Sequence, residues 1–85
     1  MITIHKYQFE IADKVVIEMP IGADILSVQI QNGKPTIWAK VETTYKEEKK
    51  VFRIYGTGHE LDLFAMEGRY LATIQQGQFV WHIFD

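Results

Sequence analysis

The 85 residues, 47% hydrophobic and 24% charged, have the composition of one globular domain and exclude a disordered tail. With 9 Lys+Arg against 11 Asp+Glu, the net charge of −2 provides no field to hold a nucleic-acid backbone non-specifically. The absence of cysteine removes disulfides, thiolate chemistry and cysteine-ligated zinc.

The dominant hydrophobic period is two. Ile2–Phe9 is rich in β-branched and aromatic residues and reads as a first strand; Lys14–Met19 reads as a second, with Val15, Ile17 and Met19 on one face. Pro20 and Gly22 then break the chain. Leu26, Val28 and Ile30 alternate with Ser27, Gln29 and Gln31 as a third, half-buried strand. Asn32-Gly33 is a strong hairpin signal, after which Ile37, Ala39 and Val41 alternate with Trp38, Lys40 and Glu42 as an antiparallel fourth. Thr43–Lys50 reads as a solvated, charge-mixed connection. Val51–Tyr55 is a fifth strand, ended by Gly56-Thr57-Gly58, and His59–Glu67 fits either a short helical turn or an irregular apolar loop. Tyr70–Gln75 is a sixth strand, Gln76-Gly77 a turn, and Phe79–Phe84 a seventh. The expected fold is all-β: a single-domain antiparallel sandwich or barrel over residues 1–85, with six to eight short strands and at most one short helix. A chain this short buries only about 60–65% of its unfolded surface. With no disulfide staple, a homo-oligomer is the expected way to cover the remainder. No apolar run approaches a membrane span and Met1–Lys6 lacks signal-peptide architecture, so a soluble, intracellular protein is expected.

The most distinctive stretch is Arg53-Ile54-Tyr55-Gly56-Thr57-Gly58-His59. Two glycines one residue apart let backbone N–H groups converge on an anion. Thr57 adds a hydroxyl, His59 a ring N–H and Arg53 a guanidinium fork. A tight turn that ends a strand satisfies the same spacing. No Gly-Lys-Ser/Thr follows and no strand–helix–strand context surrounds it, which excludes a Walker A loop and a dinucleotide fingerprint. A bound ligand is expected to place phosphates at Gly56, Thr57, Gly58 and His59, with Arg53 or Arg69 as charge partner and a base on Tyr55, Trp38 or Tyr70. Trp38, on the polar face of its strand, reads first as a second-core residue, then as an interface residue and last as a stacking platform, and Trp81, alternating with Phe79 and Ile83, as core. His5, His59 and His82 lack metal-ligand spacing. Ser27, the only serine, sits mid-strand without a nucleophile elbow. Glu60 and Asp62 alone do not define a paired-carboxylate site. No catalysis, metal or cofactor is expected.

Lys6-Tyr7, Met19–Gln29, Asn32-Gly33, Pro35, Trp38-Ala39, Phe52, Gly56–His59, Tyr70, Thr73, Gln75 and Val80–Phe84 together resemble a family of small phage- and prophage-encoded proteins of unknown function. The resemblance covers almost the whole chain; Thr43–Lys50 and Leu61–Arg69 look variable beside it. It implies a viral origin. Phage proteins of this size include the anti-CBASS and anti-Thoeris sponges, non-catalytic oligomers that sequester cyclic nucleotide signals. The function expected on that footing is immune evasion in the cytoplasm of an infected bacterium, with a cyclic oligonucleotide held between protomers. The alternative is a protein–protein inhibitor of a host defence component, or a minor virion protein, working through a strand edge or apolar patch without a nucleotide.

Overall fold

Alternating side chains become seven strands in the computed structural model, which describes residues 1–85. They are β1 (Ile2–Gln8), β2 (Lys14–Pro20), β3 (Asp24–Gln31), β4 (Lys34–Glu42), β5 (Glu47–Gly56), β6 (Tyr70–Gln76) and β7 (Phe79–Phe84), with one short helix, α1 (Leu63–Glu67). Every pairing is antiparallel, in two separate sheets ordered β1-β4-β3 and β2-β5-β7-β6. The all-β expectation holds, and the two sheets make it a sandwich. Their inner faces enclose Val15, Met19, Val28, Ile37, Ala39, Val41, Phe52, Ile54, Ile74 and Ile83, all buried in one cluster. No helix is long and apolar enough to cross a membrane.

Hairpin chemistry sets the registers. Asn32 and Gly33 both take positive φ (52° and 78°), the I′ pattern that joins β3 to β4. At the β6–β7 turn the expectation needs correction by one residue: the turn is Gly77-Gln78, and Gln76 belongs to β6, opposite Phe79. Glycine fits the first central position, where φ is 62°, as a II′ turn requires. That register sets Thr73 opposite His82.

Two further expectations are corrected. Thr43–Lys50 is not all connection, because β5 begins at Glu47 and pairs with β2 through Pro20↔Glu47, Glu18↔Lys49 and Ile17↔Lys50. Opposite charges across a strand pair support the ladder while their heads stay in water. Leu26 does not share a face with Val28 and Ile30: the register shifts between Ile25 and Ser27, which turns Ile25 onto the core and leaves Leu26 49% exposed. Trp81 packs against the core as expected but stays half-buried, and Phe79 beside it is exposed. The ambiguous stretch before Glu67 resolves into α1, capped by Asp62, whose carboxylate accepts the Ala65 N–H at 3.3 Å.

Candidate ligand site at the Gly56–His59 turn

Where β5 ends, the chain closes a β-turn: the His59 N–H donates to the Gly56 carbonyl at 3.1 Å, with Gly58 at φ 88°. That φ is what a type II turn demands of its third residue, hence glycine. Gly56 has a different reason: a Cβ there would lie 2.8 Å from the His59 ring. The ring sits over Gly56 and its Nδ1 accepts the Gly56 N–H at 3.2 Å, which leaves the ring proton on Nε2. The convergence of backbone N–H groups expected from the two glycines is therefore reduced. Gly56 and His59 spend their N–H groups inside the turn, whereas those of Thr57 and Gly58 make no hydrogen bond within the chain.

Strand alternation turns the Thr57 side chain to the outer face of β2-β5-β7-β6. There it meets His82, Thr57 Oγ1 to His82 Nε2 being 2.7 Å. His82 Nδ1 is 2.9 Å from Thr73 Oγ1, which is 2.6 Å from the Tyr70 hydroxyl. Beside this chain, Phe84 makes edge contacts with Tyr55 and Tyr70, ring centroids 5.6 Å apart in both pairs. The result is a cup of about 280 Å³ whose aromatic lining (Tyr55, Tyr70, Phe84) is joined by Leu61, His82 and the Gly56–His59 turn. No carboxylate lines it.

A second cavity, also about 280 Å³, shares Tyr55 and His59 with the cup but is lined by Asp13, Arg53, Glu60 and Asp62. Arg53 lies there with its guanidinium 5.2 Å from the centre of the Phe64 ring, a cation–π contact, and its Nε shielded and unpartnered. Three carboxylates around one guanidinium leave that cavity electronegative. The Tyr55 hydroxyl donates to Asp62 Oδ1 at 2.6 Å. Partial burial, then the Asp62 carboxylate, push the Tyr55 phenol up to about 12, with Arg53 opposing. The same hydrogen bond holds Asp62 below its usual range. A raised phenol value means that this group's contribution to stability is complete below the ordinary 10.0 and is lost as pH rises through about 12. Absorbance titration should show one tyrosine ionising near pH 12, absent in Tyr55→Phe and moved down in Asp62→Asn.

The structure thus brings Arg53, Tyr55, Gly56, Thr57, Gly58 and His59 together, with Arg53 on the acidic side of Tyr55. It does not bring Arg69 or Trp38. The Arg69 guanidinium is engaged by Asp85 (Nη2 to Oδ2 2.8 Å, Nε to Oδ1 3.3 Å) in a pair that ties the start of β6 to the end of β7. Trp38 is half-buried on the outer face of β1-β4-β3, in register with Lys6 and Ser27, so the thickness of the sandwich separates it from the cup. His82, Thr73 and Phe84 went unassigned to the site in the sequence. The signal for Thr73 and His82 was the hairpin: a glycine-first turn at Gly77 sets the two opposite each other, whereas Tyr70 meets Phe84 only through a register shift between Tyr70 and Ala72.

Fold and site define a small antiparallel β-sandwich with an aromatic-lined cup at one strand end. Compared with known families, residues 1–85 match a single family profile from end to end, and the chain belongs to that family, described as a domain of unknown function (DUF7352). Comparisons with curated proteins and with solved structures gave no match.

Proposed function

We propose that this protein is a non-catalytic binding module that sequesters a cyclic nucleotide signal, acting as a homo-oligomer in immune evasion by a phage inside its bacterial host. The observation that carries the reading is the cup: an aromatic lining free of carboxylates, edged by the unpaired N–H groups of Thr57 and Gly58. A base stacked on an aromatic ring is worth about 1–3 kcal/mol. Backbone N–H groups at a turn suit a phosphate oxygen. The base belongs against Tyr70 and Phe84, and the phosphate at Thr57, Gly58 and the His59 Nε2–H. Arg53 then acts at longer range, because Asp13, Glu60 and Asp62 share its cavity.

A second reading, a protein–protein inhibitor, is favoured by the apolar side chains exposed just beyond the turn: Leu61 (51%), Leu63 (68%) and Met66 (77%). One experiment separates the two. The protein is incubated with cyclic di- and trinucleotides, washed, denatured, and the released material run on a column. Intact nucleotide supports the sponge, altered nucleotide means an enzyme, and none leaves the inhibitor. For the sponge, Tyr70→Ala should weaken binding by about five- to a hundredfold without unfolding the protein, since Tyr70 is 54% exposed. Light scattering on the same sample should give a mass above that of one chain.

A further inference from the structure

The Thr57–Gly58 turn is a partition with an aromatic surface on each side. The cup lies on the outer face of β2-β5-β7-β6. On the other side, a groove of about 480 Å³ is lined by Thr57, His59, Gln78, Phe79 and Trp81, among others. Phe79 and Trp81 stack nearly parallel, centroids 5.6 Å apart and planes 16° apart. Phe79 stays 54% exposed. The Trp81 indole nitrogen is shielded from solvent and has no hydrogen-bond partner, and buried donors are rarely left so.

Resting on the nucleotide reading above, we propose that the Phe79–Trp81 groove is a second ring-binding subsite, so that the preferred ligand carries two bases joined through phosphate and straddles the turn. The order of groups across the protein matches such a ligand. Aromatic cup, unpaired amides of Thr57 and Gly58, and aromatic groove follow one another as base, phosphate and base do in a cyclic dinucleotide. His59, its ring over Gly56 and lining both concavities, holds the partition upright. A mononucleotide fills one side only.

The test uses cyclic di-AMP and cyclic di-GMP as two-base probes and cyclic AMP as the one-base probe. Calorimetry gives affinities, and indole fluorescence reports the groove in a Trp38→Phe background, where Trp81 is the sole tryptophan of the two in the chain. A cyclic dinucleotide should bind at least about tenfold tighter than cyclic AMP and quench Trp81. Phe79→Ala should erase that advantage while leaving cyclic AMP affinity unchanged; Phe79→Leu, which keeps apolar bulk without a π face, should do the same. Tyr70→Ala should weaken both probe classes. If a dinucleotide binds, ignores both Phe79 substitutions and leaves Trp81 fluorescence unaltered, the groove is no subsite and only the cup reading survives. If neither probe class binds while a cyclic trinucleotide does, the two-base subsite falls and the sponge reading stands; if no cyclic nucleotide binds, both fall.

Discussion

Phe52→Ala is expected to cost about 3–5 kcal/mol, the usual range for emptying a buried phenylalanine site. Phe52 is 1% exposed, sits in β5 opposite Val15 of β2 and is the largest side chain in the fully buried set. The strands on either side of it are anchored in their own ladders and have little freedom to collapse into the space. A domain of this length has roughly 4–13 kcal/mol in total, so the variant retains a small margin or none. Thermal denaturation should show a fall in Tm of more than about 10 °C. Phe79→Ala, which removes the same ring from an exposed position, should fall by much less. Equal losses for the two would mean that the inner face of β2-β5-β7-β6 is not the core.

Gly68→Ala is the second large effect, and it comes from collision. Its φ of −82° and ψ of −177° suit any residue. A Cβ there would nonetheless collide with the Asp85 carbonyl oxygen and lie 2.7 Å from that of Phe64. Both are backbone atoms, so no rotamer change relieves the clash. Overpacking of this kind costs about 1–3 kcal/mol, occasionally more. It also forces apart a junction held by three backbone bonds: Gly68 N–H to the Phe64 carbonyl at 2.7 Å, and the reciprocal Arg69–Asp85 pair at 2.9 Å each. Amide hydrogen exchange should show Arg69 and Asp85 losing protection ahead of the β3–β4 hairpin. Gly56→Ala meets the His59 ring instead, which can swing aside, so its destabilisation should be smaller. An exchange pattern for Gly68→Ala identical to the parent's would show that the junction yields at no cost.

What the sequence made legible follows from how local the cause is. Asn32-Gly33 specifies its own turn, and the β3–β4 hairpin follows as expected. Val15, Ile17 and Met19 declare one face of β2 by alternation alone, and all three pack on the core. Charge misled at β5, because Glu47–Lys50 says only that those heads meet water; their pairing depends on β2, nearly thirty residues earlier. Leu26 misled because a bulge interrupts alternation without a glycine or proline to mark it. At the site, Gly56–His59 was visible as a motif since its parts are contiguous. His82 and Thr73 were not, since they reach Thr57 only through the β5–β7 and β6–β7 ladders. Arg69 looked available because Asp85 is sixteen positions away in sequence, and only the sheet brings the two together.

The run of hydroxyl, hydroxyl, imidazole and hydroxyl from Tyr70 through Thr73 and His82 to Thr57 contains no group of fixed polarity. In one sense, Tyr70 donates to Thr73, Thr73 to Nδ1, and Nε2–H to Thr57, whose own proton then faces the cup. In the other, Thr57 donates to Nε2, Nδ1–H to Thr73, and Thr73 to Tyr70, so that Thr57 offers a lone pair outward. Reversal moves protons along the chain and switches the histidine tautomer, yet shifts no heavy atom. The Thr57 rim of the cup can therefore present either a hydroxyl proton or a lone pair to whatever lies beside it, with no rearrangement of the sheet beneath.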